Sequence, residues 1–218
     1  LQRRCTPNTP YRPDPASMAQ RELANLALGY RVRLLGGSTA AEILGARYRG
    51  ADNLTDRRAA LFEATRHAAL DAATREGLLD DFLARWRHEA LVVNQWFSLQ
   101  ASSPLYPAAA VAELAAHPAF DHRNPNKLRA VYGAFAQYNH RQFHAADGAG
   151  YRMLADAVRE LDRTNPQMAA RLAKPLTRWQ RFTAARRRAM RSALESIAAE
   201  SRLSRDLAEV VGKGLTAG

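Results

Sequence analysis

A histidine followed by a glutamate at the start of a helix is the beginning of a zinc peptidase site, and His88-Glu89-Ala90-Leu91-Val92 comes nearest to one in this sequence. Such a site needs a second imidazole one turn after the first, with the intervening glutamate as base and another glutamate further along. Val92 occupies that place and cannot ligate zinc, so His88 and Glu89 read as exposed residues near a helix boundary. His117, His122, His140 and His144 lie near one another in sequence, and a metal site could in principle be assembled from them. His140 and His144 are one turn apart, but no glutamate base stands at the right place, and a structural role is the reading preferred. Nucleophilic chemistry has less support: the sole cysteine, Cys5, lies in a proline-bearing lead, and neither a Gly-x-Ser-x-Gly elbow nor a phosphate-cradling glycine loop is present. These readings leave the chain without a catalytic centre or metal-ligand set of its own.

Gln167 and Arg171 have a better case. Asn165-Pro166 places a side-chain cap before a proline whose fixed φ and missing donor suit the first helical turn. Gln167 then falls in that first turn and Arg171 one turn later on the same face. A neutral amide and a fixed positive charge on one face can line a cavity; the alternative is a solvated glutamine and an arginine paired with a carboxylate.

The elements that must position these residues read as helices joined by short turns. Asn124-Pro125 opens a helix by the same device as Asn165-Pro166, 41 positions earlier, within the range of about 40–47 residues for a two-helix armadillo or HEAT unit. Leu128, Val131, Phe135 and Tyr138, then Tyr151, Leu154, Val158 and Leu161, repeat one helical spacing. Upstream, Asp14 before Pro15 caps a helix whose expected buried stripe is Leu23, Leu26, Tyr30 and Leu34, ended by Gly36-Gly37. Thr39 and Glu42 have capping-box spacing for a short helix closing near Gly50. A third helix is expected from about Thr55-Asp56 to Ala73, and a fourth from Thr74 with Leu79, Phe82 and Trp86 on one side. From Ala90 to Ala101 the dense apolar residues predict a buried helix, stopped by Ser102-Ser103-Pro104. After Pro175, a bend and one helix are expected, with Leu176, Trp179, Phe182, Met190, Leu194 and Ile197 as its stripe and Arg178, Arg181 and Arg188 opposite. No period-two segment appears elsewhere, so the fold class is all-α.

At 218 residues, 47% hydrophobic and 24% charged, the composition is that of one folded domain rather than a disordered chain. The proline-bearing residues 1–15 read as a lead-in and 16–218 as the domain. Leu1 in place of methionine suggests a segment of a longer chain. No apolar run approaches the roughly 18 residues of a membrane span, and the signal-peptide pattern is missing, so a cytoplasmic location with no membrane contact is expected. The net charge of +11 raises nucleic-acid binding. Only Lys127, Lys174 and Lys213 are lysines among the 32 basic residues; the other 29 are arginines, spread with acids between them. That pattern fits arginine-biased composition better than a nucleic-acid footprint, and makes nucleic acid an unlikely partner.

The runs His117-Pro118-Ala119-Phe120, Asn124-Pro125-Asn126-Lys127-Leu128-Arg129, Gly133-Ala134-Phe135, Phe143-His144-Ala145-Ala146-Asp147-Gly148 and Asn165 to Leu172 closely resemble the C-terminal helical domain of bacterial aminopeptidase N, a zinc exopeptidase of the M1 type. Asp52 to Asp56 and Arg85 to Pro104 resemble it too, and the likeness runs in unbroken order from about Arg21 to Val211. The resemblance implies a superhelical stack of antiparallel helix pairs, an armadillo/HEAT-like α-solenoid, with early helices upstream of Leu1. It implies that Gln167 helps line the pocket for the substrate's first side chain and that Arg171 faces the same chamber. Zinc and all its ligands would belong to the rest of the parent, where zinc-bound water attacks the first peptide bond of a substrate. The chain itself would be a noncatalytic wall of the chamber, its partners the parent's other domains and, through them, peptide. The alternative is an independent helical-repeat scaffold that binds protein or nucleic acid through an arginine-rich face.

Overall fold

The computed structural model describes residues 11–216, which form helices and turns with no strand among them; Cys5, Pro7 and Pro10 lie outside the described residues. The chain divides into two compact units, one ending at Glu89 and one beginning at Ala90.

In the first unit, α1 (Pro15–Arg33) starts where the Asp14-Pro15 pair predicts. Asp14 Oδ1 accepts the Ser17 amide at 2.9 Å, and this bond holds the Asp14 carboxyl below its usual range. The expected buried stripe is wrong. Leu23, Leu26, Tyr30 and Leu34 are exposed, Leu34 by 87%, while Arg21, Ala24, Leu28, Gly29 and Val32 face inward. The inward face packs closely: a Cβ on Gly29 would stand 2.6 Å from Glu63 Oε1, so a larger residue there would displace the end of that side chain.

α2 (Gly37–Gly50) begins earlier than the Thr39-Glu42 spacing suggests, from Gly36 and with no side-chain cap, so the expected capping box does not form. Gly37 instead passes the Ala69 carbonyl so closely that a Cβ would lie 1.8 Å from its oxygen. α3 (Leu54–Ala64), capped by Asn53 through the Asp56 amide, stops nine residues short of the expected Ala73. Its turn is held by Arg75, whose guanidinium donates to the carbonyls of Ala64 (3.3 Å), His67 (3.4 Å) and Leu70 (2.8 Å). Buried His67 also sits in that turn, with Nε2 at 2.8 Å from the Val32 carbonyl oxygen. α4 (Ala72–Trp86) then starts at a cap the sequence reading missed, Asp71 accepting the Thr74 amide at 2.7 Å. α2 and α3, joined by a short turn, pack as an antiparallel pair.

The second unit opens with α5 (Ala90–Ala101), the buried helix expected there, and α6 (Ala108–Ala115). α7 (Pro125–Leu128), capped by Asn124, widens into a π turn (Arg129–Gly133) and continues as α8 (Ala134–Tyr138). Leu128, Val131 and Phe135 are buried as their spacing predicts, but Tyr138 is exposed and Asn139 takes the inward place. The reason is polar: Asn139 Nδ2 donates to the carbonyls of Ala101 (3.1 Å), Ser103 (2.6 Å) and Tyr106 (3.0 Å), clamping the loop after α5.

A short α9 (His140–Phe143) leads to α10 (Ala149–Asp162), whose Tyr151, Leu154, Val158 and Leu161 are all buried. The single helix expected after Pro175 is two elements. Leu176–Arg181 is a 3-10 segment, Phe182 is extended, and α12 (Ala184–Ala198) restarts the chain. The Trp179 indole N–H donates to the Gly214 carbonyl at 2.8 Å, which ties the 3-10 segment to the last helix, α13 (Arg205–Thr216).

Candidate functional site

α11 (Pro166–Ala173) carries Gln167 and Arg171. Asn165 Oδ1 accepts the Met168 amide at 3.1 Å and Pro166 occupies the first position, so the start of this helix is fixed by the two residues the sequence singles out. Met168, Ala169, Ala170, Leu172 and Ala173 are buried; Gln167 and Arg171 are exposed together on the opposite side. Lys174, one turn beyond Arg171, is exposed too and extends the same row. None of the three makes a hydrogen bond or ion pair through its side chain with another described residue. The row therefore presents an amide and two cations to open space, able to bind carboxylates and carbonyls.

The histidines are placed elsewhere, and two of them, His117 and His144, are committed to packing. His88 and Glu89 are exposed in the turn before α5. His117 Nδ1 accepts the Ala119 amide at 3.1 Å, and its ring lies 5.0 Å from Trp96; burial, aided by the Lys127 charge, lowers its pKa. His140 and His144 stack in parallel at 6.2 Å, but His144 Nδ1 pairs with the Tyr151 hydroxyl at 2.8 Å and its ring lies 4.3 Å from Phe182. Burial pushes the His144 pKa down to about 4, with the nearby His140 and Arg186 charges adding to the effect. Among the described residues no three His, Cys, Asp or Glu side chains are grouped to hold a metal ion. Among the described residues, Nδ1 of His117 and of His144 is engaged and valine stands four positions after His88, so these donors are not arranged as a zinc centre.

Sequence reasoning missed a cavity of about 410 Å³ within the second unit, bounded by α6, Tyr132 of the π turn and α10. Ala108, Ala109 and Ala112 line one side, and Arg152, Met153, Asp156, Ala157 and Glu160 the other. Its only signal in the sequence is the alanine run of α6, which leaves room beside any neighbouring helix.

Over 206 residues the chain is 40% identical to Aminopeptidase N of Haemophilus influenzae, an alignment that covers 94% of this chain and 23% of that protein. It is 39% identical over 210 residues to Aminopeptidase N of Escherichia coli, again covering 94% of this chain and 23% of the relative. The chain thus spans about a quarter of the length of the curated relatives it matches. A crystal structure of Legionella pneumophila aminopeptidase A in complex with aspartic acid is similar over 100% of this chain and 26% of that one, with a TM-score of 0.87 and 27% identity. A family model described as "Domain of unknown function (DUF3458_C) ARM repeats" matches residues 1–216, and the chain belongs to that armadillo-repeat family.

Proposed function

We propose that residues 16–218, after a lead-in of 1–15, are the noncatalytic C-terminal domain of a zinc aminopeptidase of the M1 type that removes N-terminal residues from peptides. In this reading the domain closes the substrate chamber, Gln167 helps shape the pocket for the first side chain, and Arg171 supplies a fixed charge to the same space. Zinc and its ligands are held by the rest of the parent, which is the domain's principal partner, and the parent works in the cytoplasm. The observation that carries the reading is 40% identity to Aminopeptidase N over nearly the whole chain. Two features of the structure support it: a fixed helix start presenting Gln167 and Arg171 side by side to open space, and an exposed apolar row on α1 suited to packing against more polypeptide. No described helix is long and apolar enough to cross a membrane.

Kinetics of the parent enzyme test the proposal. Gln167→Ala and Arg171→Ala are each expected to lower kcat/KM by about tenfold, the cost of a lost hydrogen bond to a charged or strongly polar group, with unfolding unchanged. Unaltered kinetics and unaltered preference for peptide length in both variants would remove these residues from the chamber. Hydrolysis of an alanine anilide by purified 1–218, abolished by a chelator, would overturn the noncatalytic assignment. The scaffold alternative predicts tight binding of random duplex DNA that weakens steeply with salt, and the aminopeptidase reading predicts little binding.

A further inference from the structure

The hollow beside α6 is the feature of the second unit that the proposed function leaves unused. Tyr132 lines it and is only 9% exposed, yet its hydroxyl makes no hydrogen bond with another described residue. A largely buried tyrosine on the wall of a hollow can offer its free hydroxyl to whatever occupies it. The backbone that delivers it is the π turn Arg129–Gly133, a helix irregularity that costs regular hydrogen bonding and recurs at binding sites.

Across the hollow, α10 sets Asp156 and Glu160 one turn apart. Asp156 is shared with Arg159, whereas Glu160 forms no ion pair with a described residue. Arg152, the cation on this wall, donates to the Asp147 carbonyl at 2.7 Å and lies about two turns from Glu160, roughly 12 Å along the helix. The cavity thus has a negative end at Glu160 and a positive end at Arg152. Between them, Ala108, Ala109, Ala112, Ala157 and Met153 provide apolar lining. Burial, and then the Glu160 charge, push the Tyr132 phenol up to about 12, so it stays protonated and keeps its oxygen as an acceptor.

We propose that this cavity binds a guanidinium or ammonium group carried on a short aliphatic stem, with the Glu160 carboxylate and the Tyr132 hydroxyl as its polar partners and the alanine face of α6 against the stem. A carboxylate-bearing ligand would place its charge beside Glu160 and Asp156. A purely apolar ligand would leave the Tyr132 hydroxyl unmatched. An arginine or lysine side chain and a free alkylamine share the required chemistry. The inference does not depend on the aminopeptidase reading.

Titration of 1–218 followed by NMR tests it, with n-butylguanidinium as probe and n-butanol and butyrate as controls. Saturable shifts confined to Ala109, Ala112, Tyr132, Met153 and Ala157 are expected for the cation alone. Glu160→Gln should weaken that binding about tenfold, and Tyr132→Phe by a smaller factor, with the rest of each spectrum unchanged, which shows that the fold is kept. Tighter binding of acetyl-Ala-Arg-Ala-amide than of butylguanidinium supports a polypeptide source for the cation, and weaker binding supports a free amine. Equal responses to butanol or butyrate, shifts centred elsewhere, or unchanged affinity in Glu160→Gln overturn the proposal.

Discussion

Two helices present outward faces of opposite character, and the contrast separates a surface that gains from being covered from one that gains from staying wet. α1 exposes Leu23, Leu26, Tyr30 and Leu34 in one row, and α11 exposes Gln167, Arg171 and Lys174 in another. Fully burying a leucine side chain is worth about 1.5–3 kcal/mol, so covering the α1 row would be favourable by several kcal/mol. Covering the α11 row would strip water from two cations, which costs free energy unless each finds a partner. The first face suits contact with more polypeptide, and the second suits the wall of a solvent-filled chamber that meets peptide groups in passing.

The largest expected effect lies across α1 itself. Leu28 is fully buried and Leu26 is 57% exposed. Leu28→Ala should cost about 2–5 kcal/mol in denaturant unfolding of 1–218, and Leu26→Ala no more than about 0.5 kcal/mol. A cost above 2 kcal/mol for Leu26→Ala would mean that its face is already covered, and the contrast with α11 would fail. Next in size is the start of α11: Asn165→Ala should cost about 1 kcal/mol through the lost bond to the Met168 amide. Gln167→Ala, two residues on, should leave stability unchanged. If instead Gln167→Ala is the costlier of the two, that face is an interior one.

The same two helices show what the sequence makes legible. The Asp14-Pro15, Asn124-Pro125 and Asn165-Pro166 starts were readable because a cap is local chemistry, complete within a few residues. The buried side of α1 was not readable from apolar spacing. The packed side carries Gly29 against Glu63, a contact between residues far apart in sequence, with Leu28 and Val32 beside it, while Leu23, Leu26, Tyr30 and Leu34 lie outward. Where apolar residues did coincide with the packed side, as at Tyr151, Leu154, Val158 and Leu161, the spacing was sufficient. The expected helix through Ala73 failed for a related reason, since Arg75 ends it by reaching back to carbonyls of the preceding turn. At the candidate site, the placing of Gln167 and Arg171 on one face followed from the helix period. The cavity did not, because Tyr132 and Glu160 stand on separate elements and meet only through the packing of α10.

Acid acts on the interior of the second unit. His144, held beside Tyr151 and Phe182, has its pKa lowered from 6.5 to about 4. Between those values the unfolded chain binds a proton that the folded chain does not, so this group makes stability fall as pH drops through the window and has no effect above it. The Tm of 1–218 is expected to decline from pH 7 to pH 4.5, and to decline less in His144→Gln. An identical decline in the two proteins would mean that His144 is protonated in the folded state.

The smallest effect is the most direct probe of the α11 row. Arg171 and Lys174 are like charges one turn apart on a face where neither pairs with a described carboxylate. Such a pair is destabilising by a few tenths of a kcal/mol, about 0.2–0.5 at low salt, and the repulsion is screened as the Debye length shrinks to about 3 Å at 1 M. Lys174→Gln should therefore raise the stability of 1–218 slightly in dilute buffer, with the gain vanishing at high ionic strength. On α1, Leu26→Gln should show no such salt dependence, since no charge is altered. A loss of about 1 kcal/mol or more in Lys174→Gln, unaffected by salt, would instead require a buried partner for Lys174. The row would then be part of the packed interior, and Arg171 beside it could not serve as an open chamber wall.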